Sequence, residues 1–316
     1  MSHLLRLQTF AMGSDFEVFA FGEDRQLLRS AAEAAIEEIE RTEALLSHYL
    51  PDSEVSFINA HAATEPVRVH PEVFDLIARA VQLARETQGA FDITVMPLVR
   101  CWGFYGGTGK IPSAEELAEA VERVGYAHLS LDAEELSVAF DTSGVEIHLG
   151  AIGKGYAVDR AIEVLRDAGV PAGMVHGGHS SVRAYGSLPG GSGWQINLPH
   201  PLEPERSMAR LLLQNHAIST SASTEQYFER HGRRYGHILD PRSGLPVQND
   251  LLSVSVLAEE TTVTDALSTA FLVLGEEGAR QYVRQHPSVQ VLFLRREAEH
   301  VEWITTAGNG LSSHEV

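Results

Sequence analysis

Two stretches of this chain hold residue types able to do chemistry. The first is HLGAIGKGYAVDR, 148–160, in which Gly150, Gly153 and Gly155 follow one strand length after Val145-Glu146-Ile147, with Lys154 between the last two glycines. A run with helical spacing continues through Tyr156, Ala157, Ala161, Val164 and Leu165. A strand, a glycine turn and a helix start expose backbone N–H groups and a helix N-terminus, both of which favour anions. The second stretch is TDALSTAFLVL, 264–274, where Asp265 and Thr269 are four apart and share one helical face. A carboxylate and a hydroxyl on one face are hard oxygen ligands of the kind Mg²⁺ prefers. An anion cradle together with a Mg²⁺ holder points to a nucleotide diphosphate as ligand.

The elements that must position these residues are legible in part. Leu5–Phe10 and Phe16–Phe21 read as strands around the turn Ala11-Met12-Gly13-Ser14. Periodic apolar positions predict amphipathic helices over Arg25–Leu46 and Pro71–Glu86, the latter with proline in its first turn. Ser113 and Glu116 form a capping-box pattern that opens a third helix, to about Val124. Further strands are expected at Val145–Leu149, Met174–Gly178, Ser180–Gly186, Trp194–Leu198, Leu211–Asn215, Tyr235–Leu239, Leu251–Leu257 and Val289–Arg295, and helices at Thr261–Leu274 and Glu276–Gln285. Short runs separated by tight turns favour an α+β class over a purely parallel sheet.

The 316 residues, 44% hydrophobic, suffice for a large core. With 24 Lys and Arg against 43 Asp and Glu, the formal charge is −19, which argues against non-specific nucleic-acid binding and against docking on anionic lipid. An anionic ligand must then be met by local cations. Arg230, Arg233, Arg234, His237 and Arg242 cluster in sequence and are the candidates, although a solvated turn would read the same way. The single cysteine, Cys101, permits neither a disulfide framework nor a cysteine zinc site, and beside Trp102 it reads as a small buried hydrophobe. No signal-peptide pattern, lipobox cysteine or apolar run of about 20 residues is visible, so the expectation is a cytoplasmic protein without membrane insertion.

Six segments, in order, resemble the ApbE family, the FAD:protein FMN transferases. They are Met12-Gly13-Ser14; Ser53-Glu54-Val55 with Asn59; AFDITVMPLV from Ala90 to Val99 with Trp102-Gly103-Phe104; LGAIGKGYAVD from Leu149 to Asp159; HILDPRSGLP from His237 to Pro246; and DALSTA from Asp265 to Ala270. The resemblance runs from about Ala11 to Gly275. It implies an α+β fold with mixed sheets and packed helices, arranged as two intimately packed subdomains with the FAD site between them. Residues 1–306 would form a single domain and 307–316 a disordered tail.

The resemblance also implies roles. Mg²⁺ on the FAD pyrophosphate would be held by Asp265, Thr269 and the backbone carbonyl of Ala151. Flavin and phosphates would contact Met12, Asp92, Ala151, Lys154 and Ile238. His237 is the candidate base, with Lys154 and Asp265 completing the catalytic set. The acceptor would be a Ser or Thr hydroxyl on a partner flavoprotein, and AMP would be released. A neutral hydroxyl is a poor nucleophile, so a base that titrates near neutrality suits it, and cations offset the diphosphate charge. Two other outcomes use the same site: hydrolysis of FAD to FMN and AMP, or FAD binding without turnover. The chain departs from the family pattern at His148, where Asp is usual, at GGHSSVR (177–183) in place of GGDIR, and at TSAS (220–223) in place of TSGD. These departures bear on acceptor choice more than on FAD binding.

Overall fold

The computed structural model describes residues 1–295 and 301–304 apart from Thr108, His179, Ser192, Pro201, Pro204 and Glu225; at Met208 and 301–304 it describes the backbone alone. The expected tail over 307–316 and the unusual His179 lie outside the described residues.

The chain opens with a hairpin, β1 (His3–Ala11) and β2 (Ser14–Gly22), joined at Met12 and Gly13. Both turn residues have positive φ, 51° and 69°, the backbone of a two-residue turn whose twist matches the strands. Helix α1 (Arg25–Leu46) follows, its first N–H groups capped by the Asp24 carboxylate. Next come α2 (Glu54–His61), β3 (Val67–Arg68), α3 (Pro71–Glu86), α4 (Met96–Cys101) and α5 (Ala114–Val121), the last opened by the expected Ser113/Glu116 capping box. Strands β4 (Leu129–Asp132) and β5 (Ser137–Phe140) lead to α6 (Gly153–Asp167). Then follow β6 (Ala172–Gly177), β7 (Ser181–Tyr185), β8 (Trp194–Pro199), β9 (Ser207–Leu213), β10 (His216–Ala222), β11 (Tyr227–Arg230), β12 (Arg233–Gly236) and β13 (Leu251–Ala258). Helix α7 (Thr261–Gln285), β14 (Gln290–Arg295) and β15 (Val301–Ile304) complete the described residues.

Eight strands pair in the order β1-β2-β6-β7-β10-β13-β14-β15, each ladder antiparallel. One face of this sheet is covered by α1, α6 and α7. Ala35 and Ile39 of α1 and Ala161 and Leu165 of α6 share a core with Phe16 and Val18 of β2, while Ala266 and Phe271 of α7 pack with Val254 of β13 and Phe293 of β14. The other face is covered by the β8–β9 hairpin, whose Trp194 and Leu211 meet Ile218, Leu257 and Leu292. Covered on both sides, β13 is buried at every position, so its sequence LLSVSVLA cannot show simple alternation. The α+β class is thus realised as one broad antiparallel sheet with helices on one face, accompanied by a three-stranded sheet β3-β5-β4 and the hairpins β8–β9 and β11–β12. Among the described residues no helix is long and apolar enough to cross a membrane.

Three expected strands require correction. Val145–Leu149 forms only an isolated parallel bridge, Val95 to Glu146, and is otherwise extended chain. Its backbone is satisfied by a side chain instead of a ladder: Ile147 N–H donates to Asn59 Oδ1 at 2.8 Å and Ile147 C=O accepts from Asn59 Nδ2 at 3.0 Å, while His148 N–H donates to the Ile93 carbonyl at 2.7 Å. The expected strand at Tyr235–Leu239 ends at Gly236 and begins at Arg233, because its partner is the preceding β11. The strand expected at Leu211–Asn215 ends at Leu213, and Asn215, at φ 56°, begins the turn into β10. The break between the two helices expected at the C-terminal end falls at Gly275, whose φ of 69° and ψ of −176° interrupt α7.

Candidate active site

A cleft of about 1300 Å³ lies over the glycine-rich start of α6. Its walls come from Met12 and Ser14 of the β1–β2 turn, Glu43 and His48 at the end of α1, and Gly150, Gly153 and Lys154 of the loop into α6. Ser180 before β7, Thr220 of β10, the connection within the β8–β9 hairpin, and His237 after β12 complete it. The glycine turn and the far-downstream helix do converge on each other, although Ala151, Asp265 and Thr269 are not among the residues that line the cleft. Gly155 N–H donates to Asp265 Oδ2 at 2.9 Å, although 110 residues separate them. Gly155 has to be glycine on packing grounds, since a Cβ there would sit 2.3 Å from the Thr261 carbonyl oxygen and 2.8 Å from Asp265 Cβ.

Asp265 is buried, 5% exposed, with its other oxygen accepting from Ser181 Oγ at 3.2 Å. Among the described residues no cationic side chain pairs with it. A carboxylate has about four lone-pair sites, so two remain. A buried carboxylate without a cation is costly, and the neighbouring Asp159 shows the usual remedy: it pairs with Arg183 at 2.7 Å. Thr269, one turn beyond Asp265, touches Ser221 Oγ at 3.1 Å. Ala151 is half-buried in the loop on the α6 side. Among the described residues no group of three or more His, Cys, Asp or Glu gathers. A metal here would rest on the carboxylate, the hydroxyl and a carbonyl, a hard-oxygen set that fits Mg²⁺ and leaves positions for substrate oxygens and water.

Asp159 does more than pair. Its carboxylate accepts from Thr261 N at 2.9 Å, Thr262 N at 2.8 Å and Thr262 Oγ1 at 2.6 Å. It is therefore the N-terminal cap of α7, whose own flanking residue Glu260 makes no side-chain cap bond. One residue of α6 thus sets where α7 starts, and with it the position of Asp265. Asn59, named above only as part of a motif, clamps the chain before the glycine turn. The signal for both was present only as an amide and a carboxylate inside motifs, with no spacing that names a partner.

Lys154 lines the cleft and donates to the Gly150 carbonyl at 3.3 Å. Met12 lines it too, its N–H donating to Glu43 Oε1 at 2.6 Å, which fixes the strained turn. His237 sits on the rim, with both its N–H and its Nδ1 directed to the Gln226 carbonyl at 3.0 and 3.1 Å. A carbonyl can only accept, so Nδ1 carries the proton and Nε2 is the basic nitrogen. Asp92 and Ile238 are not brought to the cleft wall. Asp92 accepts from Thr94 N, Thr94 Oγ1 and Tyr126 N, bracing the loop that holds His148, and burial pushes its carboxyl up. Ile238 packs on the main core and its carbonyl accepts from Val247 N–H at 2.9 Å. His148 meets His48 edge to face, with ring centroids 4.2 Å apart. Burial, then the charges of His48 and Lys154, lower His148 to about 3; burial, then Arg100, lowers His48 to about 4. Both imidazoles are neutral at pH 7.

Of the expected cation cluster His237 reaches the cleft, but the four arginines do not. Arg230, Arg233 and Arg234 stand exposed on the β11–β12 hairpin, and Arg242 is held by Asp240 at 2.9 Å.

The ApbE family model matches residues 12–293. A Vibrio cholerae protein named FAD:protein FMN transferase is 34% identical over 258 residues, 80% of this chain and 75% of that protein. One of the same name from Haemophilus influenzae is 32% identical over 305 residues, 93% of this chain and 87% of that protein. The crystal structure of the ApbE protein of Thermotoga maritima superposes with a TM-score of 0.86 at 34% identity, covering 95% of this chain and 96% of that one. The apo flavinyl transferase ApbE of Pseudomonas stutzeri gives 0.83 at 32% identity, covering 97% and 95%. With its motifs in family order and its fold shared across nearly its whole length, the chain belongs to the ApbE family.

Proposed function

We propose that this enzyme transfers the FMN moiety of FAD to a Ser or Thr hydroxyl of an acceptor flavoprotein and releases AMP. The observation that carries the reading is Asp265: a buried carboxylate with no cationic partner among the described residues, held by the N–H of Gly155, the residue that follows Gly153 and Lys154 in the wall of a cleft large enough for a dinucleotide. Relatives named for this reaction support it.

The acceptor oxygen attacks the phosphorus on the FMN side, forming a new P–O bond. The bridging P–O bond breaks, and AMP leaves with its electron pair. The hydroxyl proton passes to His237 Nε2, which the Gln226 carbonyl keeps basic by holding the proton on Nδ1. Lys154 places an ammonium beside Gly150 in the cleft, where it offsets phosphate charge. Asp265, Thr269 and the Ala151 carbonyl would hold Mg²⁺, which when bound neutralises diphosphate charge and stabilises the leaving phosphate. The neutral His48–His148 pair adds no positive charge to the site at pH 7 and lends its wall an apolar, aromatic character.

The test is mass spectrometry of single-Ser and single-Thr acceptor peptides incubated with the chain, FAD and Mg²⁺, with AMP measured in parallel. Equal amounts of peptide-bound FMN and AMP, both absent in Asp265→Ala, are expected. AMP without labelled peptide would replace the reading with FAD hydrolysis, and intact FAD would replace it with binding alone.

A further inference from the structure

We infer that the β11–β12 hairpin is the docking element for an acidic segment of the protein acceptor, an inference that rests on the transferase reading. The hairpin grows directly out of the cleft rim: Gln226 and His237, the residues that flank it, both line the cleft and are bonded to each other. One face of its base is anchored, Phe228 and Tyr235 stacking at 5.2 Å and meeting Phe104 and Trp102. The tip is different. Arg230 and Arg233 are directly opposite each other across the ladder, both exposed, on either side of the turn His231-Gly232 with φ of 52° and 72°. Like charges in that relation destabilise a hairpin. Among the described residues Arg230 has no anionic partner, and Arg233 bonds the neutral Gln248 and lies over the Tyr235 ring at 5.4 Å, again without a carboxylate. Arg234, on the opposite face, stacks on Tyr227 at 3.8 Å.

From Tyr227 to Gly236 the hairpin has three arginines and one histidine against a single glutamate, on a chain whose formal charge is −19. This local reversal of sign does not face FAD, since no arginine of the hairpin lines the cleft. A carboxylate-bearing segment bridging Arg230 and Arg233 would relieve their repulsion while its hydroxyl enters the cleft. Four residues separate Arg233 from His237, so about 13 Å of strand lies between tip and base. The acidic residues of the acceptor should then stand about four residues from its target Ser or Thr.

Fluorescence anisotropy with labelled peptides tests this on the full chain without FAD. One peptide has two Asp four residues from a single Thr, and its control has Asn at those positions. The Asp peptide is expected to bind roughly tenfold tighter, with the preference fading as salt rises. It should be lost in the double variant Arg230→Glu, Arg233→Glu and kept in Arg230→Lys, Arg233→Lys. Unchanged FAD binding, read by flavin fluorescence, shows that the variants are folded. Equal binding of the two peptides, a preference that survives the Glu variant, or tighter capture of a DNA oligonucleotide or phosphatidylserine vesicles would overturn the inference. If the Asp peptide binds as expected but never gains FMN, the transferase reading fails and the docking element stands. If both peptides gain FMN equally well, the reverse holds.

Discussion

Gly155→Ala is the most demanding test of how this site is built, because Gly153→Ala, two residues away on the same helix, provides its control. At Gly155 a methyl group would lie 2.3 Å from the Thr261 carbonyl oxygen, a backbone atom that cannot rotate away, and 2.8 Å from Asp265 Cβ. Helices α6 and α7 would have to part by about 1 Å in a core that packs as densely as a crystal. Overpacking of this kind costs roughly 1–3 kcal/mol. Stretching the 2.9 Å bond from Gly155 N–H to the Asp265 carboxylate adds about 1.5–3 kcal/mol, against roughly 1 kcal/mol regained from the helix preference of alanine. The expected net loss of about 1.5–5 kcal/mol lowers the melting temperature by roughly 3–20 °C. At Gly153 the nearest atoms to a new Cβ are Leu149 Cβ at 3.8 Å and Leu46 Cδ1 at 3.9 Å, ordinary contacts, so that variant should be neutral or slightly stabilised. Thermal unfolding followed by circular dichroism measures both, and the Mg²⁺ concentration for half-maximal AMP release should rise only in Gly155→Ala. Equal behaviour of the two variants would refute the argument that α6 and α7 touch at this point to set Asp265.

Asp159→Asn should cost about 3–5 kcal/mol, because it leaves Arg183 unpaired and weakens the cap on α7; urea unfolding reads the loss, and restoration by Arg183→Met in the double variant would identify the unpaired charge as its cause. Asn59→Ala removes both bonds that hold Ile147, and a loss of about 1–3 kcal/mol with weaker FAD binding is expected in isothermal titration. For acid stability the sign follows from His148 and His48, both held below their ordinary value near 6.5. Below pH 6.5 the unfolded chain takes up protons that the folded chain refuses, so stability is full above that pH and falls as pH drops towards 4. His148→Asn should therefore flatten the decline between pH 6.5 and 4 in chemical-denaturation midpoints; an unchanged slope would show that the imidazole titrates normally in the fold.

The amino-acid sequence by itself determined the local periodic elements and the inventory of chemistry. The bounds of α1 and α3 follow from apolar spacing and proline position, the capping box at Ser113 from two residues, and the break at Gly275 from a glycine where only glycine is comfortable. Asp265 and Thr269 announced themselves as a one-faced oxygen pair because helical geometry is fixed at four residues. Strand β10 was not legible: HAISTSA buries hydroxyls against α7 through Ser219–Thr264 and Ser221–Ser268 pairs, so its polar residues sit where a sequence pattern expects apolar ones. Nor could spacing show that Asn59 stands in for a neighbouring strand, that Asp159 caps a helix 102 residues away, or that three arginines gather on a hairpin outside the cleft. Only the tertiary structure decided those, because each depends on backbone donors and acceptors from distant segments that must be satisfied once packing has excluded water, and no local pattern encodes which distant group will satisfy them.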